Sequence, residues 1–339
     1  MTHSSEPVAI IGAGMAGMTC ATLLARAGRA SVVYEKSRGL GGRMSTRRVE
    51  LDGQQKTLAF DHGAQFFRAR NPDFEAFIDS LATSALWHPQ PFKDSVSLDE
   101  PLRVGSPAMN RVFASPHPAI DIRLNTRVRT IKRDDDGWTV EIEGESEKAV
   151  HPFVASMVPV DQARDLVATN AAIRSQLANV HLNPCWALML AFETSLDVPF
   201  DVWRYVSEDI GWAARNSSKP GREGSFDCWV VHAAPEWSKA FLEIDAENAA
   251  RRIFERFSEA VMFQTGVHLP KTVYSSAHRW RYAQTVEALG KPYASDETGS
   301  LFLGGDWCLG GRVEAAFESG AAIAKAVLGD VPLNFEGAK

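Results

Sequence analysis

Three glycines in the run Gly12-Ala13-Gly14-Met15-Ala16-Gly17 stand at the spacing that cradles a dinucleotide pyrophosphate. The first permits a tight turn, the second lets backbone come close to phosphate, and the third lets a helix pack against a strand. Amides at the start of the following helix complete the anion site. Glu35, eighteen residues beyond Gly17, closes an apolar run and can accept hydrogen bonds from ribose hydroxyls. Arg43, in Leu40-Gly41-Gly42-Arg43, can neutralise a pyrophosphate, and Asp306, after Gly304-Gly305, can accept from a polyol hydroxyl. A second group could face a flat substrate. Six of the nine tryptophans, Trp186, Trp203, Trp212, Trp229, Trp237 and Trp280, fall in the middle of the chain. Most should fill the core. Trp280 differs, because Arg279 and Arg281 flank it and belong near solvent or an anion. Trp280, Arg281 and His232 are the candidate catalytic residues. Arg204, Arg215, Lys219, Arg222, Arg279 and Arg281 are basic residues of the same stretch that could meet an anionic ligand or form a solvated rim.

The elements that must position these residues are legible at the two ends. Val8-Ala9-Ile10-Ile11 suits a strand buried on both faces, a helix should run from Met15 to Ala27 with Gly28 past its end, and Ser31 to Glu35 suits a second strand. Residues 8–25 are uncharged and long enough to mimic a membrane span, but the glycines favour strand, turn and helix. Strands are expected at 127–132 and 138–143 around an Asp-Asp-Asp-Gly turn, then at 153–158, 185–192, 226–233 and 271–281. A helix is expected near 246–264. Leu301-Phe302-Leu303-Gly304 and a helix over 313–328 repeat the pattern of the beginning. The fold class is therefore α/β, a discontinuous Rossmann-like domain over 1–70, 104–165 and 296–339. An α+β domain built on a largely antiparallel sheet takes 71–103 and 166–295.

A 339-residue chain with 45% hydrophobic and 23% charged residues can bury about two cores and is neither disordered nor fibrous. With 36 Lys and Arg against 42 Asp and Glu, the net charge of −6 argues against nucleic acid or an anionic membrane as partner. The four cysteines, Cys20, Cys185, Cys228 and Cys308, match no zinc or disulfide framework, and with no basic segment before the first apolar run a reduced, cytoplasmic protein is expected. No Ser-His-Asp constellation or His-Glu-X-X-His metal signature appears, and the oligomeric state is left open.

Several segments resemble the flavoprotein amine oxidase superfamily in order: Leu40 to Arg43, Asp61-His62-Gly63-Ala64-Gln65, Val158 to Gln162, and Gly304-Gly305-Asp306 with Arg312 to Phe317. Asp61 to Phe67, Gly211 to Asn216, His278 to Ala283 and Gly310 to Val313 are most similar to the renalases, especially the bacterial kind, across nearly the full length. The resemblance implies FAD bound noncovalently, since Cys308 does not match the attachment cysteine of covalent relatives. It implies that Gly12, Ala13, Gly14, Met15, Ala16, Gly17, Gly42 and Arg43 hold its pyrophosphate, Glu35 and Lys36 the adenosine end, and Val128 the adenine through backbone. Gly305, Asp306, Arg312 and Val313 would face pyrophosphate, ribityl chain and flavin, with Asp61, His62, Gly63, Ala64 and Gln65 near the ring.

The resemblance further implies oxidation of dihydro-NAD(P) isomers, the 2- or 6-dihydronicotinamide forms, by hydride transfer to FAD, with oxygen reduced to hydrogen peroxide. The absence of a second Gly-X-Gly-X-X-Gly argues against a separate nicotinamide domain; the resemblance implies that the dinucleotide enters the flavin cavity as the substrate itself. The competing enzyme reading is an amine oxidase or carotenoid-type desaturase, and the non-enzyme reading is a flavin-binding sensor module.

Overall fold

Val8 to Ile11 offers water no polar side chain, and it forms β1 (Val8–Ile11), buried at every position. α1 (Met15–Arg26) follows, Gly28 adopts a φ of 76° just past its end, and β2 (Ser31–Tyr34) returns parallel to β1. The computed structural model describes residues 6–51, 56–93, 95–146, 148–222 and 224–337.

A hairpin of β3 (Thr46–Leu51) and β4 (Lys56–Asp61) comes next, then α2 (Pro72–Leu81), which the Asn71 side chain caps, and a second hairpin of β5 (Ser84–Trp87) and β6 (Leu102–Gly105). The chain re-enters the first sheet with β7 (Ile120–Arg123), parallel to β2. An antiparallel meander of β8 (Val128–Asp134), β9 (Gly137–Ile142) and β10 (Lys148–His151) leads to β11 (Val154–Ser156), parallel to β1. α3 (Val160–Leu166) and α4 (Ala171–Gln176) connect to β12 (His181–Phe192), β13 (Val202–Arg204), β14 (Ile210–Arg215) and β15 (Asp227–Ala233). α5 (Pro235–Ala240), α6 (Ala246–Thr265) and β16 (Thr272–Glu287) complete this part, and β17 (Ala294–Ser295), β18 (Leu301–Leu303) and α7 (Val313–Leu328) return to the first sheet.

The first sheet runs β17-β18-β11-β1-β2-β7, so both chain ends and two middle segments build one largely parallel layer. α1 and α7 pack on it in close contact: a Cβ on Gly320 would come within 2.2 Å of the Ala16 carbonyl oxygen. The second sheet, β13-β14-β15-β12-β16, is antiparallel throughout. Along β12 the period of two divides labour. Trp186, Leu188, Leu190 and Phe192 join the core beneath α6 with Ile253 and Phe257, each fully buried large side chain adding about 1.5–3 kcal/mol. Met189 and Ala191 point the other way, toward Leu58 and Phe60 of β4.

Two segments make contacts across the expected domain division. The β3–β4 hairpin, read as part of the first domain, lays β4 on the second sheet because Leu58 and Phe60 need an apolar partner. Residues 71–103, read as substrate domain, send Phe74 and Phe77 of α2 against Phe317 of α7, at ring separations of 4.9 and 5.3 Å. Residues 8–25 resolve into strand, turn and helix, and among the described residues no helix is long and apolar enough to cross a membrane.

Candidate active site

A continuous cavity of about 2040 Å³ lies between the two sheets. Ligand pockets commonly span ~300–1,000 Å³, so this one has room for a dinucleotide and a second molecule. Of the residues expected at the cofactor, Gly12, Gly14, Met15, Ala16, Glu35, Lys36, Gly42, Arg43, His62, Gly63, Ala64, Gln65, Val128, Gly305, Asp306, Arg312 and Val313 line it. Ala13, Gly17 and Asp61 stand behind the wall. Ala13 N donates to Glu35 Oε2 at 2.8 Å, which fixes the carboxylate at the end of β2. A Cβ on Gly17 would fall 1.9 Å from the Gly12 carbonyl oxygen, so only glycine lets α1 sit this close to β1.

The lining fits a flavin dinucleotide. A Cβ on Gly14 would meet nothing within 4 Å, so the phosphate cradle opens into free space at the start of α1. The buried Asn110 Oδ1, His62 Nδ1 and Trp212 Nε1 have no protein partner, and all three residues line the cavity. Arg43 and Asp306, given separate duties from sequence, also bind one another: Arg43 Nη1 donates to Asp306 Oδ2 at 2.9 Å and Nη2 to Oδ1 at 2.5 Å, while Nη1 also reaches the Ala283 carbonyl. The two-pronged pairing suits a planar guanidinium beside a carboxylate, and it ties the loop after β2 to the loop after β18.

Trp280 and His232 converge on one backbone atom. Trp280 Nε1 donates to the His62 carbonyl at 3.0 Å, and His232 Nε2 lies 3.1 Å from the same oxygen. A carbonyl can only accept, so His232 carries its proton on Nε2. His62 packs against Trp280 and His278 at ring separations of 5.0 and 4.9 Å, and His278 stands edge-on to Trp280 at 4.4 Å. β16 brings His278 and Trp280 to one face through its period of two. Burial pushes His62 down to about 3, with the His278 and Arg47 charges adding to it, and His232 and His278 down to about 4. This wall therefore holds neutral imidazoles.

Behind Gln65 lies a charged cluster that the sequence reading missed. Asp61 is fully buried and pairs with Lys219 Nζ at 3.3 Å and Arg222 Nη2 at 2.7 Å, while accepting from Thr46 Oγ1 and Met109 N. Lys219 also donates to Gln65 Oε1 at 3.2 Å and Asn216 Oδ1 at 3.3 Å, and Gln65 Nε2 donates to the Asp61 and Gly63 carbonyls. The Gln65 amide is thus held at both ends. Burial lowers Lys219 to about 8 although Asp61 opposes it. Lys219 and Arg222 are therefore not rim cations for a substrate phosphate, and neither is Arg215, whose guanidinium covers the Trp229 ring at 5.1 Å and donates to the Leu196 carbonyl. The signal for the cluster was Asp61 itself, an acid at the end of the apolar run Leu58-Ala59-Phe60, which must find a cation once buried.

Residues 10–81 match the model of an NAD(P)-binding Rossmann-like domain, and residues 72–328 match that of the flavin containing amine oxidoreductases. The chain belongs to the flavin containing amine oxidoreductase family. FAD is its cofactor. A triple mutant of putrescine oxidase is similar in fold, with a TM-score of 0.70 at 15% identity over 96% of this chain and 99% of that one. An oxidoreductase from Methanosarcina mazei superposes with a TM-score of 0.68 at 12% identity over 94% of this chain and 99% of that one. A stretch of 104 residues is 36% identical to a carotenoid phi-ring synthase of Streptomyces griseus, covering 28% of this chain and 20% of the synthase. The chain thus spans about a fifth of that relative's length.

In this flavin oxidoreductase the cavity carries charge opposite to the chain as a whole. Among the described lining residues, thirteen lysines and arginines face five carboxylates. Four of the five are committed, Asp306 to Arg43, Glu314 to the backbone amides of Arg70 and Asn71, Glu35 to those of Ala13 and Ser37, and Glu143 to Arg127. Around the histidine and tryptophan wall, the lining residues within 62–67, 204–235 and 278–284 include no carboxylate. Arg281 and Arg279 share Glu243 as counter-charge, at 2.7 and 3.0 Å. Trp186, Trp203, Trp229 and Trp237 are core residues, as expected, whereas Trp212 joins Trp280 at the cavity. All four cysteines are buried and unpaired.

Proposed function

We propose that this flavoenzyme oxidises 2- or 6-dihydronicotinamide isomers of NAD(P)H to NAD(P)+ and passes the electrons to oxygen, as renalases do. The observation that carries the reading is the cationic cavity with a neutral, carboxylate-free aromatic wall. A protonated amine would meet excess positive charge there with no carboxylate on that wall to pair it, and a carotenoid would bring no anion to lining cations such as Arg47, Arg48 and Arg204. A dinucleotide brings both a flat ring and a pyrophosphate.

Bound FAD supplies the two-electron acceptor, and the balance is one dihydronicotinamide, one oxygen and one proton giving one NAD(P)+ and one hydrogen peroxide. We read it as held without a covalent bond, in keeping with Cys308 not being among the residues that line the cavity. Gly12, Gly14, Met15, Ala16, Glu35, Lys36, Gly42, Arg43, Val128, Gly305, Asp306, Arg312 and Val313 would hold the cofactor, with Ala13 and Gly17 supporting the turn from behind. Trp280 and His62 present paired aromatic rings tilted 30° to one another, and His232 joins Trp280 in fixing the His62 carbonyl, so the nicotinamide is oriented rather than attacked. The substrate's own ring nitrogen drives hydride departure, and imidazoles that stay neutral add no positive charge against the pyridinium that forms.

Anaerobic mixing of the yellow protein with partly borohydride-reduced NAD tests this. Loss of flavin absorbance that air restores supports it. Bleaching by putrescine and not by the isomers would replace it with amine oxidation, and indifference to both would leave a flavin-binding sensor.

A further inference from the structure

Tyr205 stands at the mouth of the cavity in a conformation that a bulky side chain rarely adopts. Its φ is 58°, in the left-handed region, and its amide is held there by donation to the Gly211 carbonyl at 2.9 Å. Among the described residues it is the one aromatic side chain lining the cavity that is exposed, at 74%. The Arg204 guanidinium lies 4.8 Å from its ring centroid and lines the cavity too. Arg204 pairs across the β13–β14 ladder with Trp212, whose buried indole Nε1 has no partner. One short strand connection therefore sets an inner aromatic donor, a cation and an outer aromatic ring in sequence along one side of the opening.

We infer that Tyr205 is the stacking platform for the adenine of the dinucleotide substrate, with Arg204 beside it for the linking phosphates. The inference rests on the function proposed above. A dinucleotide whose nicotinamide lies inward must place its adenine toward the mouth. An exposed phenol ring at the rim, faced by a guanidinium, offers a purine the aromatic surface it needs. The strained backbone has a use in this arrangement, because it aims the ring over the opening instead of into the sheet.

The test compares the holoenzyme with its Tyr205→Ala, Tyr205→Phe and Tyr205→Gly variants, reading NAD+ affinity by flavin fluorescence and anaerobic flavin reduction by 6-dihydro-NAD and by 6-dihydronicotinamide mononucleotide. Tyr205→Ala should weaken NAD+ and raise the KM for the dinucleotide roughly tenfold, while the KM for the mononucleotide stays within twofold. Tyr205→Phe should restore dinucleotide affinity. Tyr205→Gly should lose affinity as Ala does, yet melt no lower than the parent, since glycine accepts the positive φ. Equal effects on the two substrates, or none on either, overturn the inference. A parent enzyme that neither substrate bleaches sinks the underlying reading instead, and NAD+ affinity across the variants still decides the role of Tyr205.

Discussion

At the scale of single residues the buried Asp61 cluster and the histidine wall make opposite demands. In the cluster one carboxylate serves two cations, all essentially without solvent. Burial works to raise the Asp61 pKa, and Lys219, Arg222, Thr46 and the Met109 amide overturn that and hold it below its ordinary value. Asp61→Asn leaves two uncompensated buried charges and should cost ~3–5 kcal/mol in urea unfolding of the holoprotein. Lys219→Met removes the surplus charge and should cost less than half as much, so an equal loss would contradict the charge account. The histidines titrate on another schedule. His62, His232 and His278 are depressed from 6.5 to about 3, 4 and 4, so the unfolded chain binds their protons first. Their contribution to stability is complete above about pH 6.5 and is lost as pH falls toward 4. The melting temperature should therefore fall across that window, and His278→Asn should flatten the decline. A variant with the parent's slope would show that the wall does not carry the effect.

The element that decides cofactor binding is the turn from β1 into α1, and two of its glycines act through different physics. Gly17→Ala would drive a methyl into the Gly12 carbonyl and push α1 off β1, at a cost of roughly 1–3 kcal/mol or more. Gly14→Ala has open space for its methyl and an extended backbone, so the fold should persist. That methyl occupies the phosphate approach, however, and FAD affinity should drop at least tenfold with the melting temperature of the cofactor-free protein unchanged. Equilibrium dialysis and thermal melts separate the two; a Gly14→Ala protein that keeps its FAD would remove this turn from the phosphate site. This element was readable in the sequence because its glycines, its apolar strand and its acid fall at fixed offsets within one short segment. β7, β13 and β14 were not, because short strands are defined by neighbours distant in the chain. β16 ran on to Glu287, six residues past the expected end, since its Thr285 and Glu287 are held by the bulged start of β12. Lys219, Arg222 and Arg215 looked like a rim because sequence gives a charge but not which side of the wall it occupies. Trp280 was distinguishable by the arginines beside it, whereas Trp212, set between Gly211 and Ala213, looked no different from the core tryptophans.

For the molecule as a whole, the informative quantity is the contrast between a net charge of −6 and a cavity where thirteen cations face five carboxylates. An anionic substrate is repelled weakly at a distance and attracted strongly once it reaches the cavity, where Arg204 and Arg312 are exposed lining residues. Exposed charges act over the Debye length, about 30 Å at ~0.01 M salt and about 8 Å at ~0.15 M. If the cavity field draws the dinucleotide in, the second-order rate constant for anaerobic flavin reduction should fall several-fold between those ionic strengths. The dihydronicotinamide riboside, which has the same reactive ring and no phosphate, supplies the control. Its rate constant should stay flat over the same range, because an uncharged ligand does not feel the field. Arg47→Gln and Arg48→Gln, which remove two lining cations from β3, should lessen the dinucleotide's salt dependence and leave the riboside as it was. Parallel salt curves for the two substrates would mean that the cavity charge serves only to hold the cofactor, and that the substrate is recognised by its ring alone.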